Sequence, residues 1–242
     1  MGRLKNGGIL FLLSLLVWIT SIQTSSAQNS TNVVTSDFES WMSAGIKLKV
    51  HKKWSFGLSE SLRLKENSTQ IDQYFTNLAV DYSPFSFIEF GTAFRFSQYN
   101  EGEDGYVPHY RINVDVAFKH KLKRFSFNYR LRYQFKNDLT ETSADGDYFK
   151  HGIRLRAKAT YNIKKIPLEP ILMVEMFNKY EKYNLFTFDK LRYTAALSYD
   201  LKQYGKVKLF YSLEQEVFVS YPKLTSIVGL AYVYTIKIKK KK

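Results

Sequence analysis

The sequence predicts an all-β chain, an up-and-down antiparallel transmembrane β-barrel of about 10–12 strands. Three observations point there. Apolar and polar residues alternate with period two in segment after segment, as in strands with two unlike faces. The alternating segments run about 11–14 residues, beyond the mode of about 5–6 in soluble proteins and enough for a tilted bilayer crossing of about 9–11. The connections are short and long in turn, as in barrels with tight periplasmic turns and longer outer loops.

The chain begins with an expected cleaved export signal over residues 1–27. Arg3 and Lys5 form a basic start, Ile9–Thr20 is apolar, and Ser25-Ser26-Ala27 places small residues at −3 and −1 of a cut before Gln28. The apolar stretch is shorter than the roughly 20 residues of a spanning helix. Residues 28–36 are polar and unpatterned, and are read as a flexible lead-in or a thread through the lumen. The barrel is expected over 37–238, and 239–242 form a basic C-terminal tail.

Eleven strands are expected, over 37–50, 53–64, 71–82, 86–98, 109–119, 124–136, 149–162, 168–178, 187–199, 206–219 and 225–236. In the first, Phe38, Met42, Ala44, Ile46 and Leu48 oppose Glu39, Trp41, Ser43, Lys47 and Lys49. In the fourth, Ile88, Phe90, Phe94 and Phe96 oppose Glu89, Gly91, Arg95 and Ser97. In the fifth, Tyr110, Ile112, Val114 and Val116 oppose Arg111, Asn113 and Asp115. The sixth is clearest, with Phe125, Phe127, Tyr129, Leu131, Tyr133 and Phe135 against Ser126, Asn128, Arg130, Arg132, Gln134 and Lys136. The seventh sets Ile153, Leu155 and Ala157 against Arg154, Arg156 and Lys158, and the ninth sets Leu191, Tyr193 and Leu197 against Lys190, Arg192 and Ser198. Pro84, Pro167 and Pro222 are expected in connections, with Ser83–Phe85 as a turn, and Pro108 and Pro170 at strand starts.

Aromatics near the strand ends suggest interfacial girdles: Trp54, Tyr82, Tyr99, Tyr110, Phe118, Phe125, Phe149, Tyr161, Phe188 and Tyr199. Two features fit less well. Glu60 shares a face with Trp54, Phe56, Leu58, Leu62 and Leu64, which a bulge turning it inward would resolve. An odd count also starts the first strand on the side opposite the periplasm.

Composition narrows the function. Lys+Arg is 36 and Asp+Glu 22, a net charge of +14, and loss of Arg3 and Lys5 with the signal leaves +12. In an exported chain the anionic neighbours of such a surface are outer-membrane lipid, lipopolysaccharide and small anions, and no nucleic-acid partner is expected. The absence of cysteine excludes disulfides, Cys-ligated zinc, Fe–S clusters and a lipoprotein anchor. An aromatic content of 17% excludes a disordered chain.

The polar face supplies the candidate site. Arg130 and Arg132, then Arg154, Arg156 and Lys158, then Lys190 and Arg192 come from the sixth, seventh and ninth strands as a luminal cationic patch. Luminal acids are Glu89, Asp115, Glu169, Glu175, Glu214 and Glu216. One reading is a filled lumen in which buried charges pair and brace the barrel. The other is a cationic conduit that favours anions. Catalytic, cofactor and metal residues are expected to be none. The four histidines, His51, His109, His120 and His151, lack ligand spacing, and no Gly-x-Ser-x-Gly occurs. Glu101, Glu103 and Asp104 before His109, and Asp138, Glu141, Asp145 and Asp147, read as solvated loop tips, with weak Ca²⁺ binding as the alternative.

The stretches DFESW (37–41), KKWSFGLSESLRL (52–64), DQYFTNLAVDYSPFSFIEFGTAFRF (72–96), HYRINVDVAFKHKLKRFSFNYRLRYQ (109–134) and FDKLRYTAALSYDL (188–201) carry a resemblance. The sequence resembles the uncharacterised outer-membrane family catalogued as domain of unknown function 2490, found mainly in the Bacteroidetes. The resemblance implies a barrel in the bacterial outer membrane and brings no site residue. The expectation is a monomeric, non-enzymatic outer-membrane barrel, a narrow passive anion-preferring channel or a structural surface protein. Alternatives are a barrel-embedded lipid or peptide hydrolase and a soluble exported lipid-binding barrel.

Overall fold

Alternation at this length leaves each strand one apolar and one charged face, and a sheet of such strands hides its charged face by closing on itself. The computed structural model describes residues 35–51, 53–139, 150–180 and 187–238, and these form a closed barrel of eleven strands. They are β1 (Thr35–Val50), β2 (Trp54–Lys65), β3 (Gln70–Phe85), β4 (Ile88–Asn100), β5 (Tyr106–Leu122), β6 (Phe125–Asp138), β7 (Lys150–Tyr161), β8 (Leu168–Tyr180), β9 (Thr187–Asp200), β10 (Lys206–Glu216) and β11 (Lys223–Ile238). The expected signal, most of the lead-in, most of the 137–148 loop and the lysine tail lie outside the described residues.

Each strand pairs antiparallel with the next, and β1 closes on β11 in parallel, from Thr35 opposite Lys223 to Val50 opposite Ile238. Parallel closure follows from the odd count, because the eleventh strand of a meander runs in the direction of the first. β1 therefore enters from the end with the longer connections, and Thr35 and Ser36, expected in the lead-in, belong to the barrel. Hydrogen-bonded partners followed once around, from Val50 through Trp54, Tyr82, Phe90, Val116, Leu131, Leu155, Met176, Leu191, Gln215 and Leu224, return to β1 at Ser36, 14 residues from the start. A stagger of this size goes with a strand tilt of roughly 35–45°.

The outer face carries an apolar belt. Met42, Leu58, Leu78, Phe94, Leu131, Leu155, Leu172, Leu197, Leu209 and Leu230, one from each of ten strands, are 41–56% exposed. A soluble carrier would point such residues inward. At the short-turn end Trp54 packs on Tyr82 at 4.5 Å, Phe87 on Phe118 at 6.2 Å and Phe125 on Tyr161 at 4.9 Å. At the other end Tyr74 meets Tyr106 at 5.5 Å. Tyr99, expected in a girdle, instead belongs to the inward row beside Gln73 and Val107, its ring edge-on to the buried His109 at 4.8 Å. Phe149 and the side chain of Phe188 lie outside the described residues.

Two local readings are corrected. Ser83–Phe85 is not the turn: β3 continues through Pro84 to Phe85, and the turn is Ser86–Phe87. The register shifts between Tyr82 and Phe85, so Pro84 sits where the ladder is already interrupted and its missing N–H costs nothing. No bulge turns Glu60 inward. The β2–β3 register is unbroken from Trp54 to Arg63, and Glu60 stays on the outer face, where Thr76 Oγ1 donates to it at 2.9 Å.

Candidate functional site

The inward face is where the charges meet. Register places Arg130 opposite Arg156 and Arg132 opposite Arg154 across β6 and β7, like charges that repel unless acids reach between them. The acids come from flanking strands. Asp115 on β5 takes Arg132 in a two-point bridge, with Nε at 2.7 Å and Nη2 at 2.6 Å, and lies 3.7 Å from Arg130 Nη1. Glu175 on β8 accepts from Arg130 Nη2 at 3.1 Å, past β7, and lies 3.7 Å from Arg192 Nη1. Glu214 on β10 accepts from Arg192 Nε at 2.7 Å and from Lys190 at 3.1 Å. One network thus runs from β5 to β10 and holds four of the seven expected cations, Arg130, Arg132, Lys190 and Arg192, with three of the six expected acids.

The other expected residues make no ion pair with it among the described residues. Arg156 donates to Asn128 at 2.9 Å. Lys158 faces inward opposite Asn128, and Arg154 has no carboxylate within ion-pair distance among the described residues. Glu89 pairs with Lys119 at 2.6 Å, Glu169 with Lys206 at 3.1 Å, and Glu216 accepts the backbone N–H of Lys223 at the rim.

Three further arginines share the inward face. Arg63, Arg95 and Arg111, like Arg154, have no carboxylate within ion-pair distance among the described residues. For Arg63, Arg95 and Arg154, aromatic faces take the place of acids. Phe75 lies between Arg95 at 3.6 Å and Arg63 at 5.2 Å, and Trp41 between Arg63 at 3.7 Å and Arg192 at 4.8 Å. Phe177 carries Arg154 at 4.2 Å and Arg192 at 4.8 Å. A ring quadrupole stabilises a desolvated guanidinium by about 2 kcal/mol without neutralising it, so the positive charge stays in the lumen. Arg95, Arg111 and Arg154 each keep a buried Nε without a hydrogen-bond partner.

Small residues on one wall leave room beside these cations. Ala79, Gly91, Ala93 and Ala117 on β3, β4 and β5 face Arg130, Arg132 and Arg156 across a cavity of about 280 Å³, with Arg95, Asp81, Glu89 and Asp115 also in its wall. A side chain at Gly91 would press on the Asp81 carboxylate.

At the mouth with the longer connections, the expected loop tips Glu101 and Asp138 are not simply solvated. With His109 they gather three ligand atoms within 4.8 Å of one another. His109 and Asp138 are buried, whereas Glu101 is 43% exposed. The buried Ser97 hydroxyl bonds the backbone carbonyl of His109 at 3.4 Å rather than its ring. The sequence marked Glu101 and Asp138 as loop tips and His109 as a strand start but did not bring them together, which depends on the cross-strand register of His109 with Asp138. It also missed Arg63, which had only the weakly patterned second strand to mark it.

Residues 38–218 match the family model described as Protein of unknown function (DUF2490). Among solved structures the chain is similar to the crystal structure of the beta domain of the Bordetella autotransporter BrkA, at 13% identity and a TM-score of 0.45, over 72% of this chain and 79% of that one. No curated protein matches the chain.

Proposed function

The chain belongs to the family described as Protein of unknown function (DUF2490), and from that premise we propose a monomeric outer-membrane β-barrel that passes small inorganic anions through a narrow lumen, without catalysis. Outer-membrane lipid and lipopolysaccharide surround its apolar belt. The observation that carries the reading is the set of four inward arginines, Arg63, Arg95, Arg111 and Arg154, without a carboxylate partner among the described residues, near a cavity whose wall holds Arg130, Arg132 and Arg156. A lumen built only as bracing would balance its cations with acids, as Asp115, Glu175 and Glu214 do on one side. Fixed positive charge in a narrow polar passage favours anions over cations. The long arginines narrow the path, so the conductance is small.

The test is ion flux into liposomes carrying the refolded barrel. Iodide entry above that of empty liposomes, exceeding potassium entry, supports the proposal. A folded, inserted barrel that admits neither ion refutes it and leaves the arginines as bracing.

A further inference from the structure

The luminal cavity carries an excess of positive charge. Arg95, Arg130, Arg132 and Arg156 reach its wall, together with Asp81, Glu89 and Asp115. Each acid already has a cation: Asp81 has Lys47 at 3.0 Å, Glu89 has Lys119 at 2.6 Å, and Asp115 has the two-point bridge from Arg132. Arg130 has Glu175 at 3.1 Å. Glu175 also faces Arg156 in register, but its second oxygen lies 3.7 Å from Arg192. Arg95 and Arg156 remain, with no carboxylate within ion-pair distance among the described residues. Arg95 lies on the Phe75 ring at 3.6 Å, and Arg156 donates one bond to the neutral Asn128 at 2.9 Å. The next inward cations, Arg111 opposite Arg95 and Lys158 beyond Arg156, add charge of the same sign.

A pair of guanidinium charges suits a dianion, and the donors select its shape. Arginine presents its N–H groups as a flat fork that matches a pair of phosphate oxygens. The buried Nε of Arg95, of Arg130 and of Arg156 has no hydrogen-bond partner among the described residues, and an unpaired buried donor is costly. A halide offers each fork a single atom, whereas a tetrahedral oxyanion offers separate oxygens to forks arriving from β4, β6 and β7. The space of about 280 Å³ is close to the lower limit of roughly 300 Å³ for small-molecule sites, which suits an inorganic ion with part of its water. Asp81 then separates phosphate from sulfate. Lys47 and Ser55 both donate to its Oδ2, at 3.0 and 2.9 Å, and its Oδ1 lies on the side of Gly91, in the cavity wall. A carboxylate oxygen only accepts, so it takes the proton of hydrogen phosphate and repels sulfate, which has none to give.

We propose that this cavity binds one hydrogen phosphate dianion between Arg95 on β4 and Arg156 on β7, with Arg130 beside them and the hydroxyl of the ion donating to Asp81 Oδ1. This assignment rests on the anion-preferring lumen proposed above, within which phosphate then has a saturable site. Ala79, Ala93 and Ala117 leave the room for it, because none of them extends beyond Cβ.

The experiment is calorimetric titration of potassium phosphate into the full mature barrel, refolded in detergent, in low salt and at the mildly alkaline pH where hydrogen phosphate is the main species. One site with a dissociation constant of about 1 mM or below is expected, with sulfate at least tenfold weaker. Arg95→Gln and Arg156→Gln each weaken phosphate at least tenfold. Arg156→Lys, which keeps the charge without the fork, also weakens it, and Asp81→Asn narrows the gap between phosphate and sulfate. Lys206→Gln, whose partners Glu169 and Asp200 lie outside the cavity wall, leaves the affinity unchanged. Heat-modifiable gel mobility confirms that each variant is folded. A folded barrel with no saturable phosphate uptake at about 10 mM overturns the proposal. So does binding that both Arg95→Gln and Arg156→Gln leave intact, or sulfate bound as tightly as phosphate by the unaltered barrel. Iodide flux in the same preparation separates the two readings: flux without phosphate binding overturns the site alone, and phosphate binding without iodide entry supports the site and refutes conduction.

Discussion

Glu175→Gln removes the acid that links β6 to β9. The Glu175 side chain is 7% exposed and reaches Arg130 at 3.1 Å and Arg192 at 3.7 Å. Removing one member of a buried ion pair costs about 3–5 kcal/mol, because the remaining charge is left without its partner. Here each arginine keeps a second acid, Arg130 near Asp115 at 3.7 Å and Arg192 on Glu214 at 2.7 Å, which places the loss at the lower end, about 3 kcal/mol. With a denaturant slope of about 3 kcal/mol per molar, the urea midpoint of the refolded barrel falls by about 1 M. Glu169→Gln is the control. Its partner Lys206 is 45% exposed, and such pairs contribute about 0–1 kcal/mol. Equal midpoints for the two variants would refute the argument that Glu175 organises the lumen. The same substitution leaves two guanidinium groups less neutralised, so anion flux through Glu175→Gln is expected to rise.

Other outcomes follow from single positions. Gly229 sits under the inward Phe210 ring, and an added Cβ would overlap it, so Gly229→Ala displaces Phe210 from Trp41 and costs about 1–3 kcal/mol in the same unfolding assay. Glu60→Leu removes a carboxylate from the lipid-facing surface and is expected to raise the unfolding midpoint; a lower midpoint would mean that the Glu60–Thr76 contact outweighs its exposure to lipid. The chain has no cysteine, so introduced thiols report topology cleanly. In intact cells an impermeant maleimide is expected to label Ser68→Cys, in the β2–β3 connection, and not Lys164→Cys, in the β7–β8 turn; the reverse pattern would invert the barrel.

Much of the fold was legible because period two, sustained over strands such as 124–136, leaves little freedom about which face is which. The same alternation placed Arg130, Arg132, Arg154, Arg156, Lys158, Lys190 and Arg192 on one face. Which of them would pair was not legible, because that depends on register: Glu175 lies 45 residues from Arg130 and reaches it past β7. Tyr99 misled for a physical reason. An aromatic near a strand end suggests the lipid interface, whereas this one lies in the inward row against the buried His109. That Glu101, His109 and Asp138 meet was hidden for the same cause as the ion pairs, since no sequence spacing connects side chains that strand pairing brings together. Pro84 shows the opposite limit, a local turn signal overruled by a bulge.

Unneutralised luminal arginines are expected to make this barrel prefer anions. The most direct test is the reversal potential of the refolded barrel in a planar bilayer under a tenfold KCl gradient. A reversal potential of the chloride-selective sign is expected, moving toward zero from its limit of about 59 mV when Arg95 and Arg111 are both replaced by serine. A conducting barrel that reverses at zero, or with the potassium-selective sign, would contradict it.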